Sequence, residues 1–208
     1  MREGVGFRMG PFQLMDLTGL DVTHPATVLI YEQAFHEPRF RPAMMMDARL
    51  SAGRLGRKVG HGFYAYEKGQ AQTSAKAPTP DYDGRAVWVS PADVEGCAVV
   101  TGALEAAGIT LDRGAAPAPD ALILVTPVGD DATTAAVEQG LDATRTVAVD
   151  TVIGFDLHRT IMTTPITQPD YRKAAHAVMS ADGVAATVIS DGPGFVGQRL
   201  IAMICNIG

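Results

Sequence analysis

Cysteine is scarce. Cys97 and Cys205 are the two in 208 residues, too few to staple a fold or to build a metal knuckle. Both read as small buried hydrophobes in a chain kept in a reducing, cytoplasmic setting. His24, His36, His61 and His176 share no metal-ligand spacing, so no metal is expected. No run approaches the roughly 20 apolar residues of a membrane span. Met1-Arg2-Glu3-Gly4 lacks the apolar centre of a secretory leader. Basic runs are missing too. The chain has 17 Lys and Arg against 23 Asp and Glu, a net charge of −6, and nothing in it could track a phosphate backbone. No nucleic-acid partner and no membrane association are therefore expected. Aromatic residues make up 6%, while Ala, Val and Gly are abundant, which suits close helix–sheet packing.

What is present is an apolar content of 47% with 19% charged residues, the composition of a globular protein. The length suits one or two domains with a real core. Residues 1–68 read as helical. Gly10-Pro11 breaks the chain and Pro11 suits the first turn of a helix carrying Phe12, Leu14, Met15, Leu17 and Leu20. A second helix is predicted over Thr23–Phe35, capped by Thr23 with Pro25 in its first turn. A third is predicted over Ala43–Ala52, ended by Gly53. Met44-Met45-Met46 reads as core packing, with contact to an acyl chain or another subunit as the alternative. Residues 69–84 are small, polar and Pro-containing and read as a linker.

Residues 85–190 alternate strand and helix. Strands are expected at 86–89, 121–125, 146–151, 159–163 and 185–189, with a short one near 109–111. Helices are expected at 97–107, 131–139 and 168–180. The strands are continuous apolar runs, as in a sheet covered on both faces. The expected domain is a small, mainly parallel α/β sheet with flanking helices. After Asp191-Gly192-Pro193-Gly194, residues 195–207 read as a helix apolar on most faces, one that needs burial on several sides.

Three chemical signals fail on inspection. Gly56-Arg57-Lys58-Val59-Gly60-His61-Gly62 has its Lys in the wrong place for a phosphate loop and no strand before it; Arg54, Arg57 and Lys58 read as a solvated basic turn. A dinucleotide site needs Gly-x-Gly-x-x-Gly after the first strand. Here the first strand runs into Ser90-Pro91-Ala92-Asp93-Val94-Glu95-Gly96, with acidic charge where pyrophosphate would sit. Asp112, near the second strand, has the place of a ribose-binding acid but no glycine loop to go with it. His158 with Asp170 reads as a structural His and a helix-dipole partner rather than a dyad.

The blocks Gly10-Pro11-Phe12-Gln13-Leu14-Met15-Asp16-Leu17-Thr18-Gly19-Leu20-Asp21, Tyr31 to Pro42 and Gly53 to Tyr64 follow one another at a spacing that resembles the C-terminal helical domain of 3-hydroxyacyl-CoA dehydrogenases. Asp191 to Arg199 resembles that family's junction from nucleotide domain to helical domain. The resemblance implies the long, two-copy bacterial form. It reads the chain as part of such an enzyme: a partial helical domain at 1–68, the linker at 69–84, a reduced Rossmann-like domain at 85–190, and the first helix of a second helical domain at 191–208. It implies NAD-dependent oxidation of a (3S)-hydroxyacyl-CoA to a 3-ketoacyl-CoA, in fatty-acid or related metabolism. NAD would serve the parent enzyme, with none bound to this chain and no catalytic residue in it. Where the family carries its proton-abstracting His this chain has Asp156, and Gln198 stands in place of an active Asn. Gly10, Pro11, Phe12 and Gln198 are the expected substrate-binding residues. An acyl-CoA ligand and a homodimer or domain-swapped assembly are the implied partners. The alternative is a non-catalytic scaffold of an acyl-CoA enzyme complex.

Overall fold

A computed structural model describes residues 2–72 and 78–207, without the side chain of Ile207. The chain divides into two compact units. One comprises Arg2 and Phe7–Ala77; the other comprises Glu3–Gly6 and Pro78–Gly208. A single helical turn, α1, covers Arg2–Val5.

In the first unit α2 (Pro11–Thr18) starts with its proline in the first turn and ends at Gly19, whose φ is 92°. The next helix, α3 (Leu20–Gln33), begins at once. The predicted Thr23 cap is therefore replaced. Gly19 supplies the turn, the Thr23 hydroxyl donates back to the Gly19 carbonyl at 3.0 Å, and Pro25 lies inside the helix. A 3-10 turn at Pro38–Phe40 leads to α4 (Met44–Ser51), which ends before Gly53 as its sequence suggests. Of the three methionines only Met46 is buried, while Met44 is 89% exposed. An eight-residue helix has one inward face, and the core-packing reading holds for one Met of the three. The supposed linker opens with a hairpin. Strand β1 (Ala65–Glu67) pairs antiparallel with β2 (Gln70–Gln72), and Lys68 and Gly69 turn at φ 48° and 79°. Positive φ at both turn residues matches the twist of the flanking strands. Residues 73–77 of the predicted linker lie outside the described residues.

The second unit is a five-stranded sheet in the order β3 (Val87–Val89), β4 (Leu122–Val125), β5 (Thr146–Val149), β6 (Arg159–Thr163) and β7 (Ala186–Ser190). All neighbours are parallel except β5 and β6. Leu111 bridges Val87 in parallel on the other edge of β3, the short strand expected near 109–111. The chain thus leaves β3 through α5 (Val94–Ala106), touches the sheet beyond β3, and returns to β4 on the opposite side. That reversal lets α5 and α6 (Ala132–Glu138) cover opposite faces. Val100 and Leu104 of α5 pack with Val87, Leu122 and Leu124, whereas Ala132 and Ala135 of α6 pack with Trp88, Ile123 and Val125. Alternate residues of each strand face opposite layers, and both layers are apolar, so the strands read as unbroken apolar runs. Helix α7 (Pro169–Val178) joins the α5 face.

Helix α8 (Val196–Ile207) follows Phe195, which is fully buried in the α6 layer. The predicted burial on several sides is not met within this unit. Val196, Ile201, Met203 and Ile204 are exposed, because only the first turn reaches the sheet. Cys205 is exposed and Cys97 half-buried, against the expectation that both are interior.

Candidate functional site

The two motif blocks of the helical unit meet at one carboxylate. Asp16 lies on α2 among apolar neighbours and is 1% exposed. Its Oδ1 accepts from the Phe63 amide at 2.8 Å; its Oδ2 accepts from the Tyr64 amide at 2.9 Å and from the Tyr66 hydroxyl at 3.1 Å. Two glycines make room. A Cβ on Gly62 would fall 2.1 Å from Asp16 Oδ1, and one on Gly56, at φ 109°, would fall 2.4 Å from the Asp16 carbonyl oxygen. A buried carboxylate is tolerated when donors surround it. This one closes the segment from Gly56 to Tyr66 against α2. Phe12 stacks on Phe63 with centroids 4.5 Å apart, and the Arg49 guanidinium lies 4.4 Å from the centroid of the Phe63 ring.

Burial, then the Asp16 hydrogen bond and charge, push the Tyr66 hydroxyl up to about 12. A folded-state pKa above the unfolded value of about 10 makes deprotonation favour unfolding. The Tyr66 contribution should be complete below pH 10 and fall away as pH rises toward 12. Alkaline unfolding followed through tyrosinate absorbance checks this; a phenylalanine at position 66 should remove that part of the alkaline loss.

A cavity of about 560 Å³ lies between α2 and the β1–β2 hairpin, with Gly10, Gln13, Arg57, Tyr64, Tyr66 and Gly69 in its wall. Of the predicted substrate residues, Gly10 lines this cavity. Pro11 borders a separate apolar groove with Leu14, Met15 and Val22. Phe12 stacks on Phe63 with its other side exposed. The basic turn is partly engaged, since Lys58 pairs with Asp21.

In the α/β unit the crevice beyond the carboxyl ends of β3 and β4 is the topological switch point, where open α/β sheets take ligands. Ser90, Asp93, Thr126, Asp130 and Glu138 line about 240 Å³ there. Asp93 accepts from the Thr126 hydroxyl at 3.1 Å. Ser90 bonds to Gln139 at 2.5 Å. Gly96 gives no approach to a ligand, because a Cβ there would lie 2.3 Å from Asp93 Oδ2 and 2.5 Å from Thr126 Oγ1. Asp112 accepts from the amides of Gly114 and Ala118 at 2.9 and 2.7 Å, and these bonds hold its carboxyl below the ordinary range. A dinucleotide does not fit this donor set: the crevice is small, three of its side chains are acidic, and the ribose-acid position staples its own loop.

Gln198, on the first turn of α8, has both ends of its amide engaged. Its Nε2 donates to Asp150 at 2.9 Å, and its Oε1 accepts from the Gly129 amide at 2.8 Å. It ties α8 to the ends of β4 and β5. Asp150 is buried beyond β5 and also accepts from the Val152 amide at 3.1 Å. Burial outweighs these bonds and pushes its carboxyl up. With the folded pKa above the unfolded one, stability should fall as pH rises through the folded value. Asp150→Asn keeps the Oδ1 acceptor and removes the buried charge, so its urea midpoint at pH 7 should equal or exceed that of the parent; a lower one would contradict this account. His158 and Asp170 are not a dyad. His158 has Nδ1 3.0 Å from Glu3 and Nε2 2.7 Å from the Thr187 hydroxyl. Asp170 pairs with Arg85 at 2.9 Å. Asp156 is exposed.

Sequence reading missed the role of Asp16. The available signal was a carboxylate embedded in the apolar set of α2, followed by a glycine-rich block.

Residues 1–66 match the family described as 3-hydroxyacyl-CoA dehydrogenase, C-terminal domain. The chain is 27% identical over 207 residues, 99% of its length, to 3-hydroxyadipyl-CoA dehydrogenase of Escherichia coli, of which it covers 38%. It is 37% identical over 67 residues, 32% of its length, to the mitochondrial hydroxyacyl-coenzyme A dehydrogenase of Sus scrofa, of which it covers 21%. The fold is similar to a crystal structure of 3-hydroxybutyryl-CoA dehydrogenase from Escherichia coli, with a TM-score of 0.65 and 24% identity, covering 99% of this chain and 38% of that one. The chain therefore spans about two fifths of the relatives that it matches throughout its length. The resemblance read from the motif blocks holds to this extent: residues 1–66 match the model of the C-terminal domain of 3-hydroxyacyl-CoA dehydrogenases, and the chain is similar along its length to 3-hydroxyadipyl-CoA dehydrogenase.

Proposed function

We propose that this chain is the acyl-CoA-binding and dimerisation part of an NAD-dependent 3-hydroxyacyl-CoA dehydrogenase, and that it does not turn over substrate by itself. The observation that carries the reading is the Asp16 junction, which joins the two motif blocks of the family's helical domain into one folded unit. The α/β unit supports the second half. Its switch-point crevice is acidic and lacks a glycine loop, and the family resemblance aligns exposed Asp156 with the His that takes the hydroxyl proton during hydride transfer. Gly10, Pro11 and Phe12 are the residues proposed to touch the acyl-CoA, and Gln198 acts as a positioning residue for α8. NAD belongs to the parent enzyme.

A spectrophotometric assay with acetoacetyl-CoA and NADH tests this. Micromolar affinity for the CoA ester without NADH consumption is the expected outcome; appreciable consumption overturns it. The outward apolar side chains of α8 favour an assembly, within a homodimer or by exchange of the helix. Light scattering should give a dimer, and a monodisperse monomer counts against that part. They also sustain a second reading, a scaffold of an acyl-CoA enzyme complex, which absence of CoA-ester affinity together with a stable oligomer would favour.

A further inference from the structure

A cavity lies between α2 and the β1–β2 hairpin, and of its lining the motif resemblance gives a role to Gly10 alone. Its volume, about 560 Å³, falls in the range of small-molecule sites. No carboxylate lines it, although the chain as a whole carries −6. The polar side chains in its wall carry hydrogen-bond donors. Arg57 has no carboxylate partner among the described residues, in contrast to Lys58 beside it, which is paired with Asp21. Gly69 leaves room for the guanidinium of exposed Arg57: at φ 79° it turns the hairpin, and a Cβ there would lie 2.9 Å from Arg57 Nη2. Gln13 and Tyr64 are half-buried in the wall, and their polar ends have no hydrogen-bond partner among the described residues. The Tyr66 hydroxyl is already donated to Asp16, and the Asp16 oxygens are already occupied by three donors. Met9 and Leu17 add an apolar side to the same wall.

We propose that this cavity binds the oxyanionic end of an elongated small molecule, with Arg57 forking onto a carboxylate or phosphate, Gln13 and Tyr64 donating to its remaining oxygens, and Met9 and Leu17 covering the carbon chain. A planar fork of donors matches either anion bidentately, so the shared chemistry is two or more acceptor oxygens on a negative group. The proposal does not rest on the dehydrogenase reading, because it uses the lining of one unit alone.

Heteronuclear NMR of the full chain, titrated separately with adipate and with adenosine bisphosphate, tests it. At least one probe should shift the amides of Gln13, Tyr64 and Gly69 saturably, and which one does so distinguishes a carboxylate from a phosphate source. Arg57→Gln should weaken that binding about tenfold to a hundredfold. Gln13→Ala is an independent variant on α2 and should weaken it less, with unperturbed Phe63 amide shifts showing that the Asp16 junction persists. If neither probe moves these amides, or if the shifts survive Arg57→Gln unchanged, the proposal fails. A failed CoA-ester titration leaves it standing, so the two readings fall separately.

Discussion

Asp16→Ala should destabilise the helical unit by about 3–5 kcal/mol, the most damaging single substitution expected there. Three donors lose their acceptor at once, two of them backbone amides that have no alternative partner. A hydrogen bond to a charged group contributes roughly 1.5–3 kcal/mol, and each donor left buried adds its desolvation cost. Water entering the vacated space will return part of this, so the sum stays below three full bonds. Asp16→Asn keeps one acceptor oxygen but turns an NH₂ group toward a donor, and should cost about half as much. Amide exchange at Phe63 and Tyr64 is the site-specific readout, with urea unfolding of the whole chain beside it. Unaltered protection of both amides in Asp16→Ala would show that the junction does not depend on the carboxylate.

The second large effect belongs to the α/β unit. Arg159 opens β6 with a side chain only 4% exposed. It donates to both oxygens of Asp182, at 2.8 and 2.6 Å, and to the Met179 carbonyl at 2.8 Å, and it lies 4.5 Å from the centroid of the Phe155 ring. Asp182→Ala leaves that guanidinium buried with one carbonyl, and should cost about 3–5 kcal/mol. Arg159→Met fills similar space and leaves only a carboxylate that is already partly hydrated, so its cost should be smaller, about 2 kcal/mol. The double variant should be more stable than Asp182→Ala alone, which a double-mutant cycle by urea unfolding reads directly. The guanidinium holds the Asp182 carboxyl below the ordinary carboxylate value. Its contribution is therefore full above the unfolded pKa of about 3.9 and is lost as pH falls through the lower folded value. In Arg159→Met that acid-limb loss should vanish.

The sheet was the more legible part of the molecule. The run from Arg159 to Thr163 was read with its observed bounds, and the other strands to within one or two residues, because both sheet faces are covered and each strand is a compact apolar run. The reversal of direction between β5 and β6 was not legible; strand polarity depends on a loop that carries no period of its own. The hairpin at residues 65–72 hid behind polar composition, since short edge strands have no buried face to reveal them. The start of α3 was missed because Gly19 ended one helix and opened the next, whereas Thr23 had the chemistry of a cap without the position. Met44, Met45 and most of α8 show the opposite failure. Apolar composition announces a need for burial and does not say where that burial is supplied. At the site, the motif blocks were visible as patterns, but their meeting point was not. Asp16 and Tyr64 are 48 positions apart in the chain, and only the folded backbone brings an amide to that carboxylate.

The close fit of Gly56 and Gly62 around Asp16 also limits which routes of change are open to this part of the molecule. A larger residue at Gly62 collides with the Asp16 carboxylate and one at Gly56 with the Asp16 backbone, and a longer acid at position 16 would have to fit against Gly62. Single substitutions at the three positions therefore meet a steep drop whichever comes first, while a compensated set would have to arrive together. Directed evolution of this unit should leave the trio untouched through many rounds and collect its accepted changes on the outward sides of α3 and α4.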